Sequence, residues 1–352
     1  MKVGLLIKPW IAQQAGIHQF TRQLASALAE HGRQDYYLVG SEPVESDLPQ
    51  LTIPAYAESY VDPRRWLMGA RLPELDWIID PSHLGAFGLF PEAKKCTIIH
   101  DLTPIYFPEY HRLTSVIGHK LLLKRALNQS VAVIAISQQT QADLGRFLGR
   151  DASQKVHQIY PGFAPASSEM EKVELPGSRF FLSVGTAEPR KNLGGLIQAF
   201  ERFAQEDDET LLVFAGPEGW KESLKDRIAA STVAHRMVNL GFVKPERLQW
   251  LYANALALTY VSMYEGFGFP ILEAMSAGCP VITSDLGSMK ELANSHALTI
   301  DPNSMNAIAE AMKRLFNDEQ LRTELIQKGV ERQKAFDWAH FVAALEERCF
   351  KG

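Results

Sequence analysis

The chain has 352 residues, of which 46% are apolar and 22% charged. That composition excludes a disordered or fibrous protein, and the length suits two domains of about 150 to 180 residues. The net charge of −5 argues against general nucleic-acid affinity, and no apolar run approaches the roughly 18 residues that span a bilayer.

Charge is unevenly spread. Residues 1–162 carry 16 Lys and Arg against 15 Asp and Glu, with seven of the ten histidines; residues 163–352 carry 20 against 26. The first half therefore suits an anionic partner better than the second. Cys96, Cys279 and Cys349 form no CxxC or Cys/His cluster. Cys96 and Cys279 sit in apolar, strand-like contexts and read as buried thiols of a cytoplasmic protein.

The N-terminal KVGLLI is too short for a secretory segment and reads as a first strand. The helical pattern FTRQLASALAEHG follows it. YYLVG, WIID, CTIIH and VAVIAIS are further strand-like runs, and strands alternating with helices predict a doubly wound parallel sheet. Ligands of such sheets bind beyond the carboxyl ends of the strands. Gly16, His18, His100, Asp101 and Ser137 are thus the positions to watch.

Residues 111–130 carry Arg112, Lys120, Lys124 and Arg125 with no acidic residue, while Leu113, Val116, Ile117, Leu121 and Leu127 recur near helical spacing. This is either a core helix with a solvated basic edge or a helix that rests on an anionic membrane surface. Residues 159–178 are rich in Pro, Gly and Ser, lack helical period, and read as a linker. RFFLSVG then restarts the alternation, with LLVFAG, VNLG, ALALTYV and PVITSD as strands of a second doubly wound domain. A last helix falls around 337–350.

The strongest site is YEGFGFPILEAMSAGCPV, residues 264–281: a glycine-rich loop, a helix opened by Pro270, and Gly278 as its stop. Gly266 and Gly268 let backbone N–H groups converge on a ligand at a helix N-terminus, where partial positive charge favours an anion or sugar oxygens. Glu265 and Glu273 flank the loop, and a carboxylate accepts two hydroxyls of a vicinal diol. A second constellation, residues 180–200, puts Arg190 and Lys191 at a strand-to-helix turn, where two cations clamp a diphosphate. Taken alone, this pair also reads as a solvated basic patch. In a third, residues 98–111, His100 and Asp101 follow a strand and should project into an interdomain cleft; the plainer reading is a His–Asp pair that orients a loop.

The Glu265-to-Glu273 segment resembles the E-x7-E signature of the family 4 retaining glycosyltransferases. The resemblance covers nearly the whole chain and is specific over residues 180–291. It implies an α/β GT-B fold, two doubly wound Rossmann-like domains with an interdomain cleft, divided as 1–162 and 163–336 with the helix from about 337 packing back on the first. It also implies that Glu265 and the loop Gly266, Phe267, Gly268 and Phe269 contact the donor sugar, and that Glu273 holds the nucleotide ribose. Lys191 matches a family lysine. Thr186 stands where the family commonly has an arginine, and Arg190 substitutes for it in a G-T-x-E-P-R-K-N subgroup similar to bacterial mannosyl- and rhamnosyltransferases of surface polysaccharides. By the same resemblance His100 faces the donor sugar, Asp101 and His18 lie nearer the acceptor, and Gly16 approaches the donor phosphate. Val243, with Phe242 and Leu248, lines the base pocket, although core packing explains these three almost as well.

There is no GxGxxG, GxxxxGK or HExxH, which argues against a dehydrogenase, a P-loop NTPase and a zincin. The missing Asp-x-Asp argues against a metal-dependent GT-A enzyme, so no metal or cofactor is expected. The co-substrate is a nucleotide-diphosphate sugar, with GDP-mannose favoured, and the acceptor a glycan or lipid-linked oligosaccharide. Two alternatives stay open: another GT-B sugar-nucleotide enzyme, such as an epimerase or a glycogen-synthase-like enzyme, and a catalytically silent glycan-binding subunit.

Overall fold

A computed structural model describes residues 1–8, 15–58, 74–84, 89–111, 113–149, 154–165, 169–219 and 223–350; Arg112 lies outside them. The chain divides into two compact units, residues 1–162 with 337–352, and residues 163–336.

The first unit is built on β1 (Lys2–Leu6), β2 (Asp35–Gly40), β3 (Gln50–Thr52), β4 (Trp77–Asp80), β5 (Lys94–Ile99), β6 (Ala132–Ala135) and β7 (Val156–Gln158). They form one parallel sheet in the order β3-β2-β1-β4-β5-β6-β7. Every residue of β4 and β6 is buried, as parallel strands covered on both faces require. Helix α1 (Ala15–His31) follows β1. The strand order reverses at β1/β4, so the loops after these strands and after neighbouring β5 flank the sheet's ligand-binding edge.

A helix over residues 113–129 precedes β6, and its middle, His119–Leu123, is π-wound. Val116, Leu123, Ala126 and Leu127 of this helix are buried in the first unit. Leu113, Ile117 and Leu121 are 72%, 47% and 71% exposed. The helix therefore serves the core with one face and leaves an aliphatic stripe at i, i+4 and i+8 on another.

The second unit carries β8 (Phe180–Val184), α2 (Leu193–Phe203), β9 (Leu211–Ala215), β10 (Met237–Asn239), α3 (Pro245–Asn254), β11 (Ala257–Tyr260), α4 (Phe269–Ser276), β12 (Val281–Ser284) and β13 (Leu298–Ile300). Its parallel sheet runs β10-β9-β8-β11-β12-β13 and reverses at β8/β11. Helix α2 buries Leu196, Ile197, Ala199, Phe200 and Phe203 at helical spacing, sealing one face of this sheet with Phe181, Leu212 and Ile282.

The last helix, α5 (Trp338–Cys349), belongs to the first unit. Trp338 and Phe341 pack on Phe20 of α1, with ring centroids 5.5 and 6.0 Å apart. Buried Glu346 accepts from the Arg33 amide (2.7 Å), Arg33 Nε (2.6 Å) and the Tyr36 hydroxyl (2.9 Å). All three cysteines are buried free thiols, and the sulfurs of Cys96 and Cys349 lie 3.2 Å apart, a pairing the sequence spacing did not suggest.

Candidate active site

The reversal point of the second sheet collects the two segments singled out from the sequence. After β8 the chain turns at Gly185, whose φ is +126°; a side chain there would press on Lys191, with Cε and Nζ both 3.1 Å from the added carbon. Pro189–Lys191 form one 3-10 turn, and Asn192, in the left-handed region, precedes α2. After β11 the loop 261–268 runs into α4, with Gly268 at its N-cap at φ +115° and Pro270 in its first turn. Gly266 is not among the glycines with positive φ, so only one of the two loop glycines is used for its backbone freedom. The amide of Met263 donates to the Arg190 carbonyl (2.7 Å) and joins the two loops.

Glu265 is the centre of this arrangement. Its carboxylate pairs with Arg190 Nη1 and lies 2.7 Å from Lys191 Nζ. Arg190 Nε also donates to Glu188 (2.8 Å). Lys191 Nζ donates to the Tyr260 hydroxyl (2.7 Å) and sits 4.4 Å from that ring's centroid. Arg190 and Lys191 therefore do not form a solvated basic pair: their side chains are 20% and 9% exposed. Burial alone would raise the Glu265 carboxyl, but Arg190 and Lys191 outweigh it and pull the group down to about 2. Burial pulls the Lys191 ammonium below its ordinary value, opposed by the Glu265 carboxylate.

Glu273 lies in the second turn of α4 and accepts from the Tyr252 hydroxyl (2.7 Å). Burial raises its carboxyl, and the Tyr252 bond and Lys191 only partly offset this. Gly266, Phe267 and Gly268 are buried and Phe269 half-buried; the Phe267 ring packs 4.9 Å from Phe269 and 5.8 Å from Phe336. Val243 is half-buried beside Phe242, which is 78% exposed, in the turn between β10 and α3. Tyr260 and Tyr252, which hold Lys191 and Glu273, went unnoticed in the sequence. Each looks like one more core aromatic, and the only hint at Tyr260 is its place at the carboxyl end of a strand.

In the first unit His100 follows β5 and is buried. Its Nε2 contacts the Pro81 carbonyl (3.1 Å), and Phe20 meets its ring edge-on at 4.7 Å. Burial pushes its imidazole down to about 4, so the ring is neutral near pH 7. Asp101 caps a local turn, accepting from the amide (2.9 Å) and hydroxyl (2.6 Å) of Thr103. The sequence placed Gly16 and His18 in the loop after β1, but both lie in the first turn of α1. Among the described residues a side chain on Gly16 would meet nothing within 4 Å, so no close approach by any of them requires glycine there.

Residues 167–332 match the model for "Glycosyl transferases group 1". The chain is 31% identical over 255 residues to O-antigen chain mannosyltransferase B of Escherichia coli, covering 70% of this chain and 67% of that one. The chain belongs to the group 1 glycosyltransferases. It is also similar to O-antigen chain mannosyltransferase RfbU of Salmonella typhimurium, at 29% identity over 66% of this chain and 63% of that protein. Among solved structures, WaaG, a glycosyltransferase involved in lipopolysaccharide biosynthesis, superposes with a TM-score of 0.68 at 15% identity, covering both chains fully. Sucrose-phosphate synthase from Thermosynechococcus elongatus superposes at 0.74 and 19% identity, over 99% of this chain and 98% of that one. This glycosyltransferase thus has the two-domain α/β GT-B fold.

Proposed function

We propose that this glycosyltransferase moves a mannosyl residue, with retention, from GDP-mannose to a glycan acceptor of a bacterial surface polysaccharide. The observation that carries the reading is the meeting of Arg190, Lys191 and Glu265 at the reversal point of the second sheet, beside the N-terminus of α4. The mannosyltransferase relatives support the sugar.

Breaking the anomeric C–O bond sends its electron pair to the diphosphate and leaves oxocarbenium character on the sugar. Arg190 and Lys191 supply cations for the diphosphate without a metal, aided by Gly16. Glu265, His100 and the amides of Gly266, Phe267, Gly268 and Phe269 hold the reacting sugar. Glu273 takes the ribose hydroxyls and Val243 borders the base. Asp101 and His18 serve the acceptor, whose hydroxyl forms the new C–O bond and passes its proton to the leaving phosphate.

The acceptor is lipid-linked in this reading, and the helix over 113–129 rests on an anionic membrane face. Leu113, Ile117 and Leu121 offer an exposed aliphatic stripe, and the segment holds Lys120, Lys124 and Arg125 with no acidic residue. Each such cation contributes about 1 kcal/mol near an anionic leaflet.

A donor screen reading nucleotide diphosphate release over GDP-, UDP- and dTDP-sugars, with and without a mannose-terminated acceptor, tests the reading. Acceptor-dependent release of GDP from GDP-mannose is expected. Release from another donor overturns the sugar assignment, epimerised donor without release favours the epimerase alternative, and no release from any donor favours a silent glycan-binding subunit.

A further inference from the structure

His83 belongs to none of the constellations above, yet it is the residue that holds the backbone of His100. It follows β4 at the reversal point of the first sheet and is buried. Its φ is +66°, in the left-handed region that non-glycine residues seldom occupy. Its Nε2 accepts the His100 amide hydrogen at 3.1 Å. The same short loop supplies the Pro81 carbonyl that contacts His100 Nε2 at 3.1 Å. Residues 81–83 therefore grip His100 at both its main chain and its ring.

The two contacts together fix the protons. A carbonyl only accepts, so His100 carries its hydrogen on Nε2 and leaves Nδ1 as a lone pair. A backbone N–H only donates, so His83 leaves Nε2 bare and carries its hydrogen on Nδ1. The His83 ring lies 5.9 Å from the His100 ring, nearly parallel to it, and His119 meets it edge-on at 5.9 Å. Thr140 Oγ1 donates to the His100 carbonyl (3.1 Å), fixing the other side of that residue. Backbone strain of this kind persists only where surrounding contacts over-determine it, and it clusters at functional sites.

We infer that His83 is a positioning residue for glycosyl transfer: by accepting the His100 amide it sets the direction in which the His100 ring presents itself to the donor sugar. This rests on the reading of His100 given above. It adds a residue that touches no substrate and acts through the one that does.

Two substitutions separate positioning from folding. His83→Asn keeps a residue that tolerates positive φ but is too short to place an acceptor where Nε2 stands. His83→Gln restores an acceptor near that point but strains the backbone. Asparagine should lower turnover at saturating donor about tenfold or more, with donor KM changed less than twofold and the melting temperature nearly kept. Glutamine should recover most of the turnover while melting lower. Long-range 1H–15N spectra of the unliganded protein should show the His100 ring protonated on Nε2 in the wild type, with shifts that move in His83→Asn and return in His83→Gln. Normal turnover in His83→Asn, or rates that follow melting temperature across both variants, overturns the proposal. Normal turnover in His100→Ala instead removes the reading beneath it. Loss in His100→Ala with no loss in His83→Asn rejects the positioning role alone.

Discussion

Lys191 Nζ stands 2.7 Å from Glu265 Oε1, and both side chains are 9% exposed. With Arg190 on the other carboxylate oxygen, one buried carboxylate draws two cations together, and Glu188, 2.8 Å from Arg190 Nε, offsets the remaining positive charge. Removing one partner from such a group leaves an uncompensated charge. In the proposed function the diphosphate meets two cations that Glu265 already holds side by side, and Glu265 accepts hydroxyls of the reacting sugar.

In the proposed mechanism Arg190 and Lys191 take the place of a divalent metal at the diphosphate. Turnover in excess EDTA should equal turnover without it. Complete loss, restored by magnesium or manganese, would contradict the clamp.

Within the proposed clamp, Arg190 takes the role that the resemblance gives more often to the position of Thr186. Hydrogen bonds to charged groups contribute about 1.5 to 3 kcal/mol, so Arg190→Ala should raise the apparent donor KM about tenfold to a hundredfold. Thr186→Ala should raise it much less. The reverse order in initial-rate kinetics would reduce Arg190 to a structural partner of Glu188 and Glu265.

Glu273 is a buried carboxyl with a stability cost and, in the proposed function, a binding role. Its carboxyl is raised in the folded protein, so its contribution to stability is fully present below the unfolded value, about 4.3, and is lost as pH rises through the folded one. Glu273→Gln should therefore melt higher than the wild type at pH 7 and lose that advantage near pH 4. The same change should weaken donor binding about tenfold by removing a carboxylate from the ribose. Melting curves at the two pH values and a donor titration check both; a lower melting temperature at pH 7 would contradict the account.

The exposed stripe on 113–129 predicts binding to anionic rather than neutral liposomes, weakened by salt. Leu113→Gln with Leu121→Gln should cut the sedimented fraction while leaving turnover on a water-soluble acceptor unchanged. Equal recovery in the supernatant from anionic and neutral liposomes, at low and raised salt, would reject the membrane role.

Much of the architecture was legible because parallel strands buried on both faces read as short apolar runs between helical patterns. The strands that escaped, β3 (Gln50–Thr52), β7 (Val156–Gln158) and β13 (Leu298–Ile300), are three-residue edge strands, too short to show any period. Glu265 and Glu273 could be picked out by their spacing around a glycine-rich turn, and Arg190 and Lys191 by their strand-to-helix turn together with the family resemblance, since a basic pair alone reads equally as a solvated patch. Gly16 and His18 were misplaced because the helical pattern, clear from Phe20 onward, extends further back than its apolar residues announce. Tyr252, Tyr260 and His83 were invisible because their roles are contacts between distant segments: a buried tyrosine or histidine carries no sign of its partner.

The most direct test of the central claim is the turnover of Glu265→Ala at saturating GDP-mannose with a mannose-terminated acceptor, with the folded fraction measured on the same sample. Losing a contact made in the transition state costs about 3 to 4 kcal/mol. A fall of about a hundredfold or more per folded molecule is expected. Turnover equal to that of the wild type would take Glu265 out of the reacting centre and contradict the site as described.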